Sequence, residues 1–241
     1  MTLHLILLTK DADGCPDGFV WAADRKASFE WGQSADIEKI VHLKERAIAC
    51  SAWGNHALTV REEFVKRIND GSIKLEISDL DRNREILQQF AEEMAGEEKT
   101  SRGLIVAMFG NSLPLLYRVD IARPAIPVLV EYYNLLAGDG DNPANIFATY
   151  YYAEKSGSSL PEALLLATHT MRLAQIMKLS YLGDPSIWYF SEGQFQRLPS
   201  QELARYALLS QALDESLIEK IRAVAPKRVP SPIENLIREK S

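Results

Sequence analysis

"MTLHLILLTK" (residues 1–10) and "GFVWAADRKAS" (18–28) decide how this chain is read. Each holds an apolar run of strand length. The "KDADGCPDG" between them is dense in Asp, Gly and Pro, the chemistry of a hairpin loop. Thr2 stands directly behind the initiator Met1, and the second run ends in Ala22, Ala23, Asp24 and Arg25. With Met1 removed, Thr2 carries a hydroxyl and a free α-amine on one residue, a pairing that lets the hydroxyl attack a carbonyl. Such a nucleophile needs partners, and the chain beyond this hairpin can be read for them.

Two further strands are expected at "EKIVHL" (38–43) and "RAIACSAW" (46–53), joined by a charged turn at Lys44 and Glu45. Gly54 and Asn55 end that block. "HALTVREEFVKRIND" (56–70) then brings Leu58, Val65 and Ile68 near helical spacing, with Phe64 beside them. A second helix fits "SDLDRNREILQQFAEEMAG" (78–96), where Ser78 or Asp79 caps the start and Gly96 the end. Strands return at "GLIVAMF" (103–109) and "LPLLYRVD" (113–120). "IPVLVEYYNLLAG" (126–138) holds more β structure, which Pro124 and Pro127 restrict to edges or loops. After the turn "GDGDNP", a helix is expected over residues 143–157. Ser159 and Glu162 form a capping box ahead of "ALLLATHTMRLAQIMKL" (163–179). A last hairpin, "SIWYF" then "QFQRL", turns at Ser191, Glu192 and Gly193. A C-terminal helix follows from about residue 201 to 224, and Pro226, Pro230 and Pro232 punctuate the tail.

Helices thus come in pairs between blocks of strands, not singly as in βαβ units. The expected class is α+β, with two antiparallel sheets flanked by helix pairs in one domain over residues 1–241. Composition agrees with a soluble globular protein: 46% of residues are apolar, 25% are charged and the net charge is -6. The basic residues are dispersed, so no nucleic-acid-binding stripe is expected. The apolar runs are too short to span a bilayer and no signal peptide is visible, so a cytoplasmic protein without a membrane partner is expected. Cys15 and Cys50 form no CxxC, and His4, His42, His56 and His169 are scattered. Neither a metal site nor a cofactor is therefore expected. His4 and His42 read as packed or surface residues.

With Thr2 at its head, this element order resembles the proteasome β-type fold of the N-terminal nucleophile (Ntn) hydrolases. "GFVWAADRKAS" is similar to the family's second-strand motif, and "EKIVHL" to its catalytic-lysine strand. "RAIACSAWGNHALTVREEFVKRI" is similar to the following strand, Gly turn and first helix. "GLIVAMFGNSLPLLYRVD" resembles the next hairpin, "LAGDGDNP" the turn before the third helix and "EALLLATHTMRLA" the fourth helix. The likeness spans residue 2 to about residue 197.

The resemblance implies a four-layer αββα sandwich and a threonine-type hydrolase of an amide bond, most simply a peptide bond. Thr2 is the implied nucleophile. Lys39 is implied to lie near its hydroxyl, and Asp24 to hold Lys39 charged and in place. Backbone N–H groups around Trp53 and Gly54 are the implied oxyanion hole. Ser28 and Asn55 are implied on the substrate cleft, with Ala27, Val41 and Ser51 lining a first specificity pocket. Family members form rings, which implies a homo-oligomer.

Four departures from the family pattern stand beside this. Trp53-Gly54 replaces a Gly-Gly turn, so a large side chain is expected to narrow the cleft. Gly138-Asp139-Gly140 replaces Gly-Ser-Gly, so that Asp139 stands where a serine supports the terminal amine. No acid precedes Asp184 in "MKLSYLGDP", and Ser180 is only an approximate match. The loop over residues 10–17 is long. These departures keep two other readings open. One is a non-catalytic proteasome-like assembly unit, which does not need Met1 removed. The other is a hydrolase of a small non-peptide amide.

Overall fold

The computed structural model describes residues 3–28, 34–96, 102–110, 114–130, 135–138, 159–176 and 183–224. Its centre is the first hairpin. β1 (Leu3–Lys10) and β2 (Pro16–Asp24) are paired antiparallel, with Leu3 to Leu7 and Phe19 to Asp24 all buried. Both faces of these strands are covered, which is why their sequences read as near-continuous apolar runs and not as an alternation. The hairpin loop is held by Asp11, whose carboxylate accepts the backbone N–H groups of Asp13 and Cys15.

Around this hairpin lies a five-stranded antiparallel sheet in the order β10-β1-β2-β11-β12, in which β10 is Leu135–Gly138, β11 Pro185–Ser191 and β12 Gln194–Arg197. A second five-stranded antiparallel sheet runs β5-β6-β7-β8-β9, made of Val41–Leu43, Ile48–Gly54, Arg102–Met108, Leu115–Asp120 and Pro127–Leu129. A ribbon of β3 (Lys26–Ser28) and β4 (Ser34–Asp36) leaves the end of β2. Pro127 lies in the edge strand β9, where a missing N–H interrupts no ladder between inner strands.

Four helices are described: α1 (Ala57–Asn69), α2 (Leu80–Met94), α3 (Leu160–Ile176) and α4 (Ser200–Val224). The apolar faces of α1 and α2 (Val60, Phe64, Ile68, Leu87, Phe90) join Ile48, Cys50, Ala52, Leu104, Val106 and Tyr117 of the second sheet in one buried cluster. α3 gives Ala163, Ala167, Met171 and Ala174 to a cluster with Leu3, Leu5, Leu7, Val20 and Ala22 of the first sheet, and Leu203 and Tyr206 of α4 pack against it. A third cluster draws on both sheets: Ile6, Phe19, Trp21 and Ala23 from one, Ala49, Trp53, Ile105 and Ala107 from the other.

Caps follow the sequence signals at two helices. Asp79 accepts the N–H of Arg82 at the start of α2, and Ser159 and Glu162 close the expected capping box at α3. α2 ends at Met94 with an extended Ala95, so Gly96 is not its left-handed cap. The last hairpin turns through Glu192 and Gly193, both at positive φ.

The strand expected over residues 38–43 is shorter, because only Val41–Leu43 pairs with β6. The carbonyls of Glu38 and Lys39 instead accept the guanidinium of Arg61 from α1, at 2.6 and 3.3 Å, and the N–H of Ile40 turns to Glu38 Oε1. A side chain from the covering helix has replaced the neighbouring strand as partner. The helix expected at 143–157, the tyrosines at 150–152, Ser180 and the proline-punctuated tail lie outside the described residues.

Candidate functional site

The site is built where β1 begins and β2 ends. Register pairs His4 with Ala23, which brings Leu3 to the end of β2, and the backbone N–H of Leu3 donates to Asp24 Oδ1 at 2.8 Å. Asp24 is fully buried, and a buried carboxylate requires charged or hydrogen-bonding partners. It has both. The Lys39 ammonium donates to Oδ1 and Oδ2, each at 2.8 Å, and Lys39 is itself only 5% exposed. Burial pulls the Lys39 pKa below its ordinary value, against the opposing pull of the Asp24 carboxylate. A lysine in this state gives up its proton more readily than a surface lysine.

Lys39 is carried by a non-ladder segment held from two sides. Arg61 takes the Glu38 and Lys39 carbonyls from the α1 side. From the other sheet, Ser186 Oγ donates to Glu38 Oε2 at 2.7 Å, and Arg197 of β12 approaches the same carboxylate at 3.5 Å. β11 starts opposite Asp24, and Arg25 donates its N–H to the Asp184 carbonyl. Asp184 itself is exposed. Arg61, Glu38 and Ser186 were not legible as site residues, since no local motif marks a side chain that holds another residue's backbone.

Behind the ion pair, His4 is fully buried between the sheets. Trp21 Nε1 is 3.4 Å from His4 Nδ1, and the Ala52 carbonyl and Ser51 Oγ are 3.3 and 3.2 Å from His4 Nε2. An indole N–H only donates and a carbonyl only accepts, so the network assigns the ring proton to Nε2. Burial, reinforced by the nearby Lys39 charge, lowers the His4 pKa to about 3 despite the Ala52 carbonyl. His4 is thus a neutral linker between β1 and β6, a role within the packed histidine expected from the sequence.

The remaining expected residues fall as follows. Gly54 ends β6 exposed, with φ 88° in the region that favours glycine, and Asn55 follows it exposed in the turn to α1. Trp53 does not stand over a cleft. It is 2% exposed, its indole occupies the space a Cβ on Gly103 would fill, and the Arg118 guanidinium lies 5.5 Å from its ring centroid. The alternation of β6 turns residue 53 inward toward the layer between the sheets, which corrects the expectation that its bulk narrows an open surface. Ser51 is corrected in the same way: it is fully buried on His4 and lines no open pocket. Val41 is half-buried and packs against the α1/α2 cluster. Ala27 and Ser28 lie in the β3–β4 ribbon, opposite Ala35 and Ser34. Thr2 and Asp139 lie outside the described residues. Their chain neighbours Leu3 and Gly138, however, are paired with each other across β1 and β10.

His42, half-buried in β5, is ringed edge-on by Phe109, Trp188 and Phe195 at 5.1–6.0 Å. Among the described residues no cluster of His, Cys, Asp or Glu can hold a metal ion, and no helix is long and apolar enough to cross a membrane.

No protein-family model and no curated protein matches the sequence. Solved structures do match the fold. A mutant of Anbu from Hyphomicrobium sp. strain MC1 superposes with a TM-score of 0.69 at 12% identity, covering 95% of this chain and 100% of that one. Anbu from Yersinia bercovieri, described as an ancestral beta-subunit, gives 0.69 at 11% identity with the same coverage. At this identity the likeness is one of fold.

Proposed function

We propose, from the fold shared with an ancestral beta-subunit, that this chain is a proteasome-like Ntn hydrolase with its layers in the order helix pair, sheet, sheet, helix pair. In this reading it cleaves an amide bond, most simply a peptide bond, through Thr2 after Met1 is removed. The observation that carries the reading is the buried Asp24–Lys39 ion pair bound to the amide of Leu3. In this proposal the Thr2 hydroxyl, one residue before that amide, stands beside the pair.

Each group then has a chemical role. The Thr2 hydroxyl attacks the substrate carbonyl carbon and passes its proton to the Thr2 α-amine. Held by the Asp24 carboxylate, the Lys39 ammonium sits beside the forming alkoxide and stabilises it. N–H groups of the Trp53–Gly54 turn stabilise the oxyanion. The C–N bond breaks, and the α-amine gives its proton to the departing amine. Water then attacks the ester and leaves a proton on the α-amine; as the acid departs, that proton passes to the threonine oxygen and the amine is neutral again. Ala27, Ser28, Val41 and Asn55 remain substrate-side residues in this proposal. Asp139, next in the chain to Gly138, pairs electrostatically with the α-ammonium that forms within each step. The chain acts as a subunit of a homo-oligomer in the cytoplasm.

The rival reading, a non-catalytic assembly unit, draws on Asp139 and on the absence of an acid before Asp184. The reading for a small non-peptide amide loses its motive, because Trp53 is buried. Intact mass before and after treatment with an epoxyketone, which captures an N-terminal threonine through hydroxyl and amine together, tests the hydrolase. Loss of Met1 followed by a single adduct that vanishes in Thr2→Ala is the expected result. A retained Met1 blocks the amine and sinks the hydrolase in favour of the assembly unit.

A further inference from the structure

We propose that His4 is a positioning residue that ties the strand directly following Thr2 to the strand leading into the Trp53–Gly54 turn, and so sets the spacing between nucleophile and oxyanion donors. This rests on the hydrolase reading above. His4 stands two residues beyond Thr2 in the chain, and its Nε2 reaches the carbonyl of Ala52, the residue directly before Trp53. The two strands belong to different sheets, and register pairing never joins them. Ile6, Ala23, Ile40, Ala49 and Trp53 are buried in the layer between the sheets, and His4 with Ser51 forms a polar link across it.

A packing role at this position is met by any apolar side chain of similar size. An imidazole is instead costly to bury unless both nitrogens are bonded. Here both are. Trp21 fixes Nδ1 as the acceptor, and Nε2–H faces Ala52 and Ser51. The bonds are directional, so they specify one separation of the strands where apolar contact tolerates several. The ring also stays uncharged beside Lys39, leaving Lys39 as the cation on Asp24.

The test uses the full chain as His4→Phe, His4→Gln and His4→Asn. Glutamine places an amide N–H where Nε2–H stood, whereas asparagine falls short of Ala52. The readout is the split of epoxyketone labelling into reagent affinity and the first-order step. His4→Phe is expected to slow the first-order step by ~10- to 100-fold with affinity unchanged. His4→Gln is expected to restore it to within a few-fold, and His4→Asn serves as the unrescued variant if phenylalanine prevents folding. Nitrogen-15 NMR of the unmodified protein checks the tautomer independently of activity, with the proton expected on Nε2. A proton on Nδ1, or wild-type labelling kinetics in both His4→Phe and His4→Asn, overturns the positioning role alone. An unmodified protein that has lost Met1, shows the Nε2–H tautomer and still forms no adduct overturns the hydrolase reading, and this role with it.

Discussion

Replacing Asp24 with asparagine removes one negative charge from a fully buried position while leaving an oxygen for the Leu3 N–H. The loss is therefore electrostatic and not a missing backbone partner. At the 2.8 Å separation of Lys39 Nζ and Asp24 Oδ1, attraction in an effective dielectric of about 20 amounts to about 6 kcal/mol. Desolvation of both ions offsets part of this, but that cost stays with Lys39 when only its partner goes. Removing one member of a buried pair costs about 3–5 kcal/mol. With a urea m-value of about 2.5 kcal/mol/M, the unfolding midpoint of Asp24→Asn should fall by roughly 1–2 M. Lys39→Met should lose a similar amount, because it leaves the carboxylate buried. The double variant should recover most of the loss, since two neutral groups carry no such cost.

The pH dependence gives a second reading of the same pair. The Lys39 pKa is depressed in the fold, so between that pKa and the ordinary 10.5 the unfolded chain binds more protons and stability rises with pH. That contribution is complete above the unfolded value and is lost as pH falls through the folded one. The Asp24→Asn substitution removes the influence that raises the Lys39 pKa, so the rise should begin at lower pH and vanish when Lys39→Met is added. An Asp24→Asn stability within about 1 kcal/mol of wild type, or additive single and double variants, would refute the reasoning.

Three further outcomes follow from the core. Because His4 is held near a pKa of about 3 against an ordinary 6.5, its contribution to stability is complete above pH 6.5. It falls below that, at a rate approaching about 1.4 kcal/mol per pH unit; the difference curve between wild type and His4→Gln in urea should near this slope below about pH 5.5 and level off toward about pH 3. In Gly103→Ala the new Cβ runs into the Trp53 ring and meets the Val119 carbonyl at 2.6 Å, so thermal unfolding should register about 1–3 kcal/mol of overpacking. Burial holds the Cys50 thiol at a pKa of about 12 while Cys15 is exposed; a thiol reagent should modify one cysteine in the native protein and two in denaturant, as counted by mass.

Much of the fold was legible because its signals are local. The Asp79 cap and the Ser159–Glu162 box act within a few residues and stand where expected; the Asp-, Gly- and Pro-rich loop is in place but shorter than expected, because Pro16–Gly18 already belong to β2 and pair with Lys10 and Thr9. The pairing of Asp24 with Lys39 came from the resemblance, and composition or periodicity held no sign of it. Where the reading departed from the structure, the deciding partner was distant in the chain. Arg61 unzips residues 38–40 from the sheet, Gly103 makes the space that draws Trp53 inward, and His4 claims Ser51.

The amino-acid sequence by itself determined the order of elements and the chemistry available at each position, since both depend on spacing along the chain. Only the tertiary structure decided which of those groups are charged, neutral or hidden. Burial and counter-charge are set by residues that folding brings together. The same lysine or histidine on a one-dimensional chain has no dielectric, no partner and hence no particular pKa.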